Sequence, residues 1–512
     1  MPDIDTSWQP RHHPANKTAF VMAATGESVT FGTLEARANQ GAHLLRAAGI
    51  NPGMHIAILM ENRREMLEVC FAADRAGVYY TTISTHLGPE EVAYILGDCD
   101  ARLLITSGRF AGLIETLRDS LGDTCALMVV GADVAELCSW DEALASEPET
   151  PIPDEAQGLD MLYSSGTTGR PKGIKWPLEP APIGTRTMLV DLLTRLFSYG
   201  PETRYLSTAP LYHAAPLRHS MVTIKSGGTA VIMDRFDAEG ALRLIDEHRI
   251  THSQWVPTMF VRLLRLSEDI RQQYDLSSME MAVHAAAPCP IEVKRAMLDW
   301  WGDIIHEYYA GTENNGFTAI DTAEWRAHPG SVGQAKLGVV HICDETGEEL
   351  PTGREGEIFF ENGHQFAYHK DPEKTQRATN EKGWTTLGDI GRLDADDYLY
   401  LTDRKSFMII SGGVNVYPQE TEDTLLNHPS VLDAAVIGIP HEEFGEAVHA
   451  VVQLLPNAKD SDELRADLFN FCRSKLSPIK CPRSIEFRST LPRTETGKLH
   501  KRLLRAEYVN PK

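Results

Sequence analysis

The chain has 512 residues, 42% of them hydrophobic, too many for one compact core, so at least two domains of ordinary soluble composition are expected. Its net charge is −23; from Arg404 onward 15 Lys/Arg meet 14 Asp/Glu, leaving 34 against 58 in residues 1–403 of the 49 and 72 in the whole chain. This balance excludes a nucleic-acid partner, which demands a basic face, and no apolar run approaches the ~20 residues of a bilayer span, so no transmembrane segment is expected.

In chain order, residues 31–48 show helical spacing, 55–60 read as a buried strand, 64–76 as a helix and 103–106 as a strand, an α/β rhythm. A Pro/acid linker covers 147–155, and a short, mostly apolar strand at 159–162 leads into the string YSSGTTGRPKG at 163–173. The rhythm resumes from 204 to 283, with candidate strands at 205–207, 230–233, 253–256 and 281–284. Turns become dense between 331 and 403, where strands are expected at 338–343, 356–361 and 398–401. After Asp403-Arg404-Lys405 the character changes to a compact α+β unit of about one hundred residues, a common domain size. The expected fold class is α/β: a large N-terminal domain, residues 1–403, of two α/β subdomains and a β-rich subdomain, followed by a small α+β C-terminal domain, residues 404–512. The eight cysteines are scattered without a Cys-x-x-Cys pair, which points to neither a zinc site nor a disulfide framework and fits a cytoplasmic protein.

The string at 163–173 reads as a grip for phosphates. Glycines let backbone N–H groups turn toward an anion, the hydroxyls of Ser164, Ser165, Thr167 and Thr168 add donors, and Lys172 supplies a point charge. Gly166 and Gly169 provide the turns. A Walker A loop would need Ser or Thr after its lysine at the start of a helix, whereas Lys172 is followed by Gly173 and an extended Ile174-Lys175-Trp176-Pro177. The plain alternative is a Ser/Gly-rich surface turn.

Further strings follow in a fixed order: YAGTE at 309–313, Gly388-Asp389, Arg404, SGGVNVYP at 411–418 and LPRTETGK at 491–498. Together they resemble the adenylate-forming superfamily of acyl-CoA synthetases, firefly luciferase and peptide-synthetase adenylation domains, over nearly the whole chain. The resemblance implies that a carboxylate attacks the α-phosphorus of ATP to give an acyl adenylate and pyrophosphate, and that the thiol of coenzyme A then displaces AMP. Charge neutralisation and alignment should supply most of the catalysis, because two anions must meet. By motif position, Thr167, Thr168 and Lys172 would cradle the β- and γ-phosphates, Thr312 the α-phosphate, and Glu313 Mg²⁺. Tyr309 would stack on adenine opposite the backbone at Ala286, Ala287 and Pro288, while Asp389 and Arg404 would hold the ribose. Lys498 would carry the adenylation step, bridging the carboxylate and the α-phosphate. The C-terminal domain would be mobile, turning about Ser406, where the family usually has Asp or Lys. Gly412 and Gly413 would then line the pantetheine tunnel. Ala310 and the Ala285-Ala286-Ala287 segment replace residues that are usually Gly.

His213 occupies a position where the family often gates the acyl pocket; a satisfied core histidine is the alternative. No Asp or Glu lies in 211–220, so an α-amino acid is disfavoured, since a buried ammonium without a partner would cost several kcal/mol. The expected substrate is a hydrophobic carboxylic acid, with Ala310, Gly311, Trp255, Val256, Phe260 and Phe317 as candidate pocket residues, although an ordinary core explains the last four equally well. Competing readings are an acyl-AMP ligase that delivers to a carrier protein and a non-catalytic ATP- or AMP-binding regulator. Fatty, aryl and steroid side-chain acids stay open, and a homodimer is compatible with the sequence.

Overall fold

The structure, a computed structural model, describes residues 8–121, 125–131, 137–164, 171–364, 366–411, 414–493 and 499–509. Among these residues the strands form five sheets. The first is parallel, in the order Cys138–Ser139, Ala126–Val130, Ala101–Ser107, His55–Leu59, Tyr79–Thr82 and Leu159–Asp160. Its central strand is apolar without alternation because both faces are covered. Ile56 and Ile58 pack with Phe71 and Trp140 on one side, and Ala57 and Leu59 pack with Val92 and Ile95 on the other. The helix Phe31–Ala47 starts where Thr30 accepts the Thr33 N–H at 3.1 Å, an N-cap.

The second α/β unit is a nine-stranded sheet whose parallel centre runs Ile305–Tyr309, Met281–His284, His252–Trp255, Arg204–Ser207, Thr229–Ile232 and Thr18–Met22. The hairpin Thr18–Met22/Glu27–Thr30 thus joins a sheet built mostly from residues two hundred positions later, a pairing that local pattern does not reveal. Antiparallel strands Phe317–Ile320 and Gln334–Leu337 close the other edge. The β-rich stretch expected from 331 therefore begins later: residues 334–337 belong to the large sheet. The separate four-stranded antiparallel sheet is Val339–Cys343, Gly356–Glu361, Thr385–Leu393 and Leu399–Arg404.

The single strand expected at 159–162 is instead two. Leu159–Asp160 ends the first parallel sheet, while Leu162–Ser164 turns away to pair with Lys172–Lys175. The break falls at buried Met161, whose N–H is held by Tyr80 and whose carbonyl accepts the Thr81 hydroxyl at 2.8 Å. Pinning the chain there launches the next strand toward the cleft.

The C-terminal α+β unit comprises strands Ile409–Ser411, Val414–Val416, Val431–His441, Gly445–Leu454 and Ser484–Arg488 with helices Pro418–Leu426, Asp462–Lys475 and Lys501–Val509. It touches the large part through Arg265, which donates to the carbonyls of Val431 and Leu432, and through the Gln419 N–H, which donates to Asp403.

Candidate active site

A cleft of about 830 Å³ opens between the second α/β unit, the β-rich sheet and the C-terminal unit. Strand ends deliver its polar residues, as parallel sheets tend to do. The strand Ile305–Tyr309 runs into it and continues as Ala310, Gly311, Thr312 and Glu313, all of which line it. A side chain at Gly311 would displace its neighbours: a Cβ would lie 2.6 Å from the Leu387 methyl and 2.8 Å from the Glu313 carboxylate, so one or both would have to move. Glu313 is 8% exposed and accepts a hydrogen bond from the Tyr368 hydroxyl at 2.9 Å.

The phosphate-type string is bracketed by a hairpin. Ser164 closes the strand Leu162–Ser164, and its register partner is Lys172, which opens Lys172–Lys175; a third strand, Ala367–Tyr368, pairs alongside. Ser165, Gly166, Thr167, Thr168 and Gly169 lie outside the described residues. The Lys172 ammonium stands 5.1 Å from the centre of the Tyr368 ring, and Glu313 and Tyr368 share the Glu313 hydrogen bond, so cation and carboxylate flank one phenol. Burial, helped by Lys374, lowers the pKa of Lys172, against the pull of Glu313.

Asp389, 6% exposed, sits on Thr385–Leu393 directly opposite Arg404. Its carboxylate accepts the Tyr309 hydroxyl at 2.7 Å and pairs with Arg404 Nε at 3.1 Å. Burial first, and then the Asp389 charge, pushes the Tyr309 phenol well above its ordinary value, so it stays a donor. A carboxylate offers about four lone-pair sites, so two donors leave room for others. Ala286, Ala287 and Pro288 line the same end, Ala286 with φ +76°.

His213 is the N-cap residue of Ala214–Lys225 and lines the cleft with its ring 4.6 Å from that of Tyr212. Val256 and Phe317 line it as well. Trp255 and Phe260 do not. Both are fully buried in the core on the far side of the sheet, where Trp255 packs on Phe260 and Trp301 and donates to Ser253 at 2.6 Å. The reason is strand alternation: Gln254 and Val256 face the cleft, so Trp255 between them faces away. That period-two signal was present in the sequence. Gln254, Tyr308, His219, Leu189 and Leu193 are lining residues that the motif reading passed over.

From the C-terminal side, Ser406 lies in a single 3₁₀ turn, Lys405–Phe407, and Phe407 reaches the cleft. Lys498, Gly412 and Gly413 lie outside the described residues. Arg493 and Leu499, which bracket Lys498 and form an isolated antiparallel bridge, line the cleft, whereas Ser411 and Val414, which bracket the glycines, do not.

The donor set fits a hard divalent cation: Glu313 is a carboxylate on the wall beside Lys172 and Thr312, and such a cation in a nucleotide site takes one or two protein carboxylates and fills its sphere with waters and phosphate oxygens.

The AMP-binding enzyme model matches residues 6–367, and the AMP-binding enzyme C-terminal domain model matches 420–498. A feruloyl-CoA synthase from Amycolatopsis sp is 32% identical over 510 residues, 98% of each chain. The long-chain-fatty-acid–CoA ligase FadD13 of Mycobacterium tuberculosis is 29% identical, covering 96% of this chain and 95% of its own. Among solved structures, the anthranilate CoA ligase AuaEII in complex with anthranoyl-AMP superposes with a TM-score of 0.84 at 28% identity, covering 99% of this chain and 97% of that one.

Proposed function

This chain belongs to the AMP-binding enzyme family, and from that premise we propose that it is an AMP-forming acid–CoA ligase acting on a hydrophobic carboxylic acid. ATP, Mg²⁺ and coenzyme A are its co-substrates and cofactor. In the first half-reaction a carboxylate oxygen bonds to the α-phosphorus and pyrophosphate leaves; in the second the thiol, losing its proton, bonds to the acyl carbon and AMP leaves. The metal, when bound, neutralises phosphate charge and fixes the leaving group.

The observation that carries the reading is one cleft in which Lys172, Thr312, Glu313, Tyr309, Asp389 and Arg404 converge beside an apolar end. Lys172 would follow the outer phosphates together with Thr167 and Thr168, and Thr312 would donate to the α-phosphate. Glu313 would hold the metal. Asp389 would accept the ribose hydroxyls while Tyr309, anchored on it through its own hydroxyl, covers the base. Lys498 would bridge carboxylate and α-phosphate, supported by Arg493 and Leu499 on the cleft wall. We place the boundary of the C-terminal domain at Arg404 and the hinge at Ser406, in the short turn that follows the last strand of the β-rich sheet. A cytoplasmic location is part of the proposal, supported by eight unpaired cysteines and the need for ATP and coenzyme A.

The test is pyrophosphate release from ATP and Mg²⁺ over a panel of fatty, branched, aryl and steroid side-chain acids, each with and without coenzyme A. Multiple turnover that requires coenzyme A is expected. Turnover indifferent to it would favour transfer to a carrier protein, and ATP binding without turnover a regulator.

A further inference from the structure

Away from the nucleotide residues the cleft is walled by apolar and aromatic side chains: Leu189, Leu193, Pro216, Tyr308 and Phe317, the last two with rings stacked 4.9 Å apart. His219, on the same helix as Pro216, interrupts this wall. It lines the cleft, is 1% exposed, and its Nδ1 lies 2.6 Å from the Tyr199 hydroxyl. Its Nε2 is buried and has no hydrogen-bond partner among the described residues. Leaving such an atom unpaired costs on the order of 1–3 kcal/mol, a cost that a bound group can remove.

Which group follows from the protons. Burial, and then Arg218, lowers the imidazole pKa to about 3, so the ring is neutral and carries one N–H. Burial also raises Tyr199 well above its ordinary value, so the phenol keeps its proton, and we take the pairing in which it donates that proton to Nδ1, 2.6 Å away. The ring proton is then on Nε2, a donor. A distal carboxylate is not what the site awaits, because Arg218 beside it already meets Asp160 through Nε at 3.1 Å and a terminal nitrogen at 2.7 Å.

We infer that His219 selects an acid whose hydrophobic body carries, at the end remote from the carboxylate, a neutral oxygen acceptor such as a carbonyl, ether or phenolic oxygen, and that it does so by donating from Nε2. This rests on the acid-activating function proposed above. A site built around a polar contact discriminates strongly against analogues that lack it, because its own buried group is left unpaired.

The experiment compares matched acids, alkyl against ω-oxoalkyl, cyclohexyl against 4-oxocyclohexyl, and aryl against 4-methoxyaryl, by kcat/KM for coenzyme A-dependent pyrophosphate release. The wild type should favour the oxygen-bearing member of its best pair by about tenfold or more, and His219→Phe should collapse that ratio toward one. Tyr199→Phe keeps the imidazole but frees its tautomer, and should lower the ratio without abolishing it. Equal turnover of both members by the wild type, or a ratio that survives in His219→Phe, overturns the inference and leaves the ligase function standing. Pyrophosphate release with no acid at all would overturn both. If the His219 variant does not melt cooperatively, the wild-type ratio and the Tyr199→Phe ratio decide.

Discussion

Ala286 holds a φ of +76°, in the left-handed region that glycine enters without penalty and a Cβ disfavours, within a segment where the family usually has glycine. It is exposed at the nucleotide end of the cleft, so no packing forces the methyl on it. At most helix or strand positions Ala→Gly costs about 0.5–1 kcal/mol; here the relieved strain should offset it. Ala286→Gly is expected to leave the urea midpoint unchanged or raise it, while Ala286→Val should cost about 1–3 kcal/mol, because a β-branched residue tolerates positive φ worst. Equal effects of the two substitutions would show that the backbone here is relaxed.

At the scale of elements, the helix Pro418–Leu426 carries Asp423 on the cleft side, where burial raises its pKa to about 7 against the hydrogen bond from Gln419. The native state thus holds a proton that the unfolded chain releases near pH 4. The stability tied to that proton is complete below the unfolded pKa and is lost as pH rises through about 7. Asp423→Asn, which imitates the protonated form, should therefore melt higher than the wild type at pH 8, with the gap narrowing as pH falls and closing only below about pH 4; a gap that does not change with pH would count against the raised pKa.

Elements also show where the sequence was legible. Strands with continuous apolar runs, such as His55–Leu59, and the capped helix that opens at Phe31 were readable because each is dictated by its own residues. The docking of Thr18–Met22 beside Thr229–Ile232 was not, since it depends on a partner far along the chain. At the site, motif residues Tyr309, Glu313, Asp389 and Arg404 line one cleft. The acyl wall was read in part: Val256 and Phe317 line the cleft, whereas Trp255 and Phe260 are core residues and alternation brings Gln254 to the cleft instead. His219 left no motif to find. Its meaning comes from Tyr199, twenty positions earlier, which takes one ring nitrogen and leaves the other for a ligand.

For the whole molecule, the chemistry demands two different surroundings for one adenylate. On the proposed roles, the first half-reaction would use the Lys498 cation between carboxylate and α-phosphate, and the second would need it moved aside and a narrow path for a thiol. In this structure the residues that bracket Lys498 line the cleft and those that bracket Gly412 and Gly413 do not, an arrangement that suits the first half-reaction. Among the described residues it is held in part by polar contacts such as Arg265 on the Val431 and Leu432 carbonyls, which exchange for another orientation would have to break. The two half-reactions should then separate by mutation. Lys498→Ala is expected to lower acid-dependent pyrophosphate release by two orders of magnitude or more, yet to spare thioester formation from supplied acyl-AMP. Gly413→Leu should do the reverse, releasing pyrophosphate in a single burst and forming no thioester, because the added side chain obstructs the path of the thiol. Loss of both half-reactions in either variant, with cooperative melting retained, would mean that one fixed site performs both steps and that the C-terminal unit does not exchange its faces.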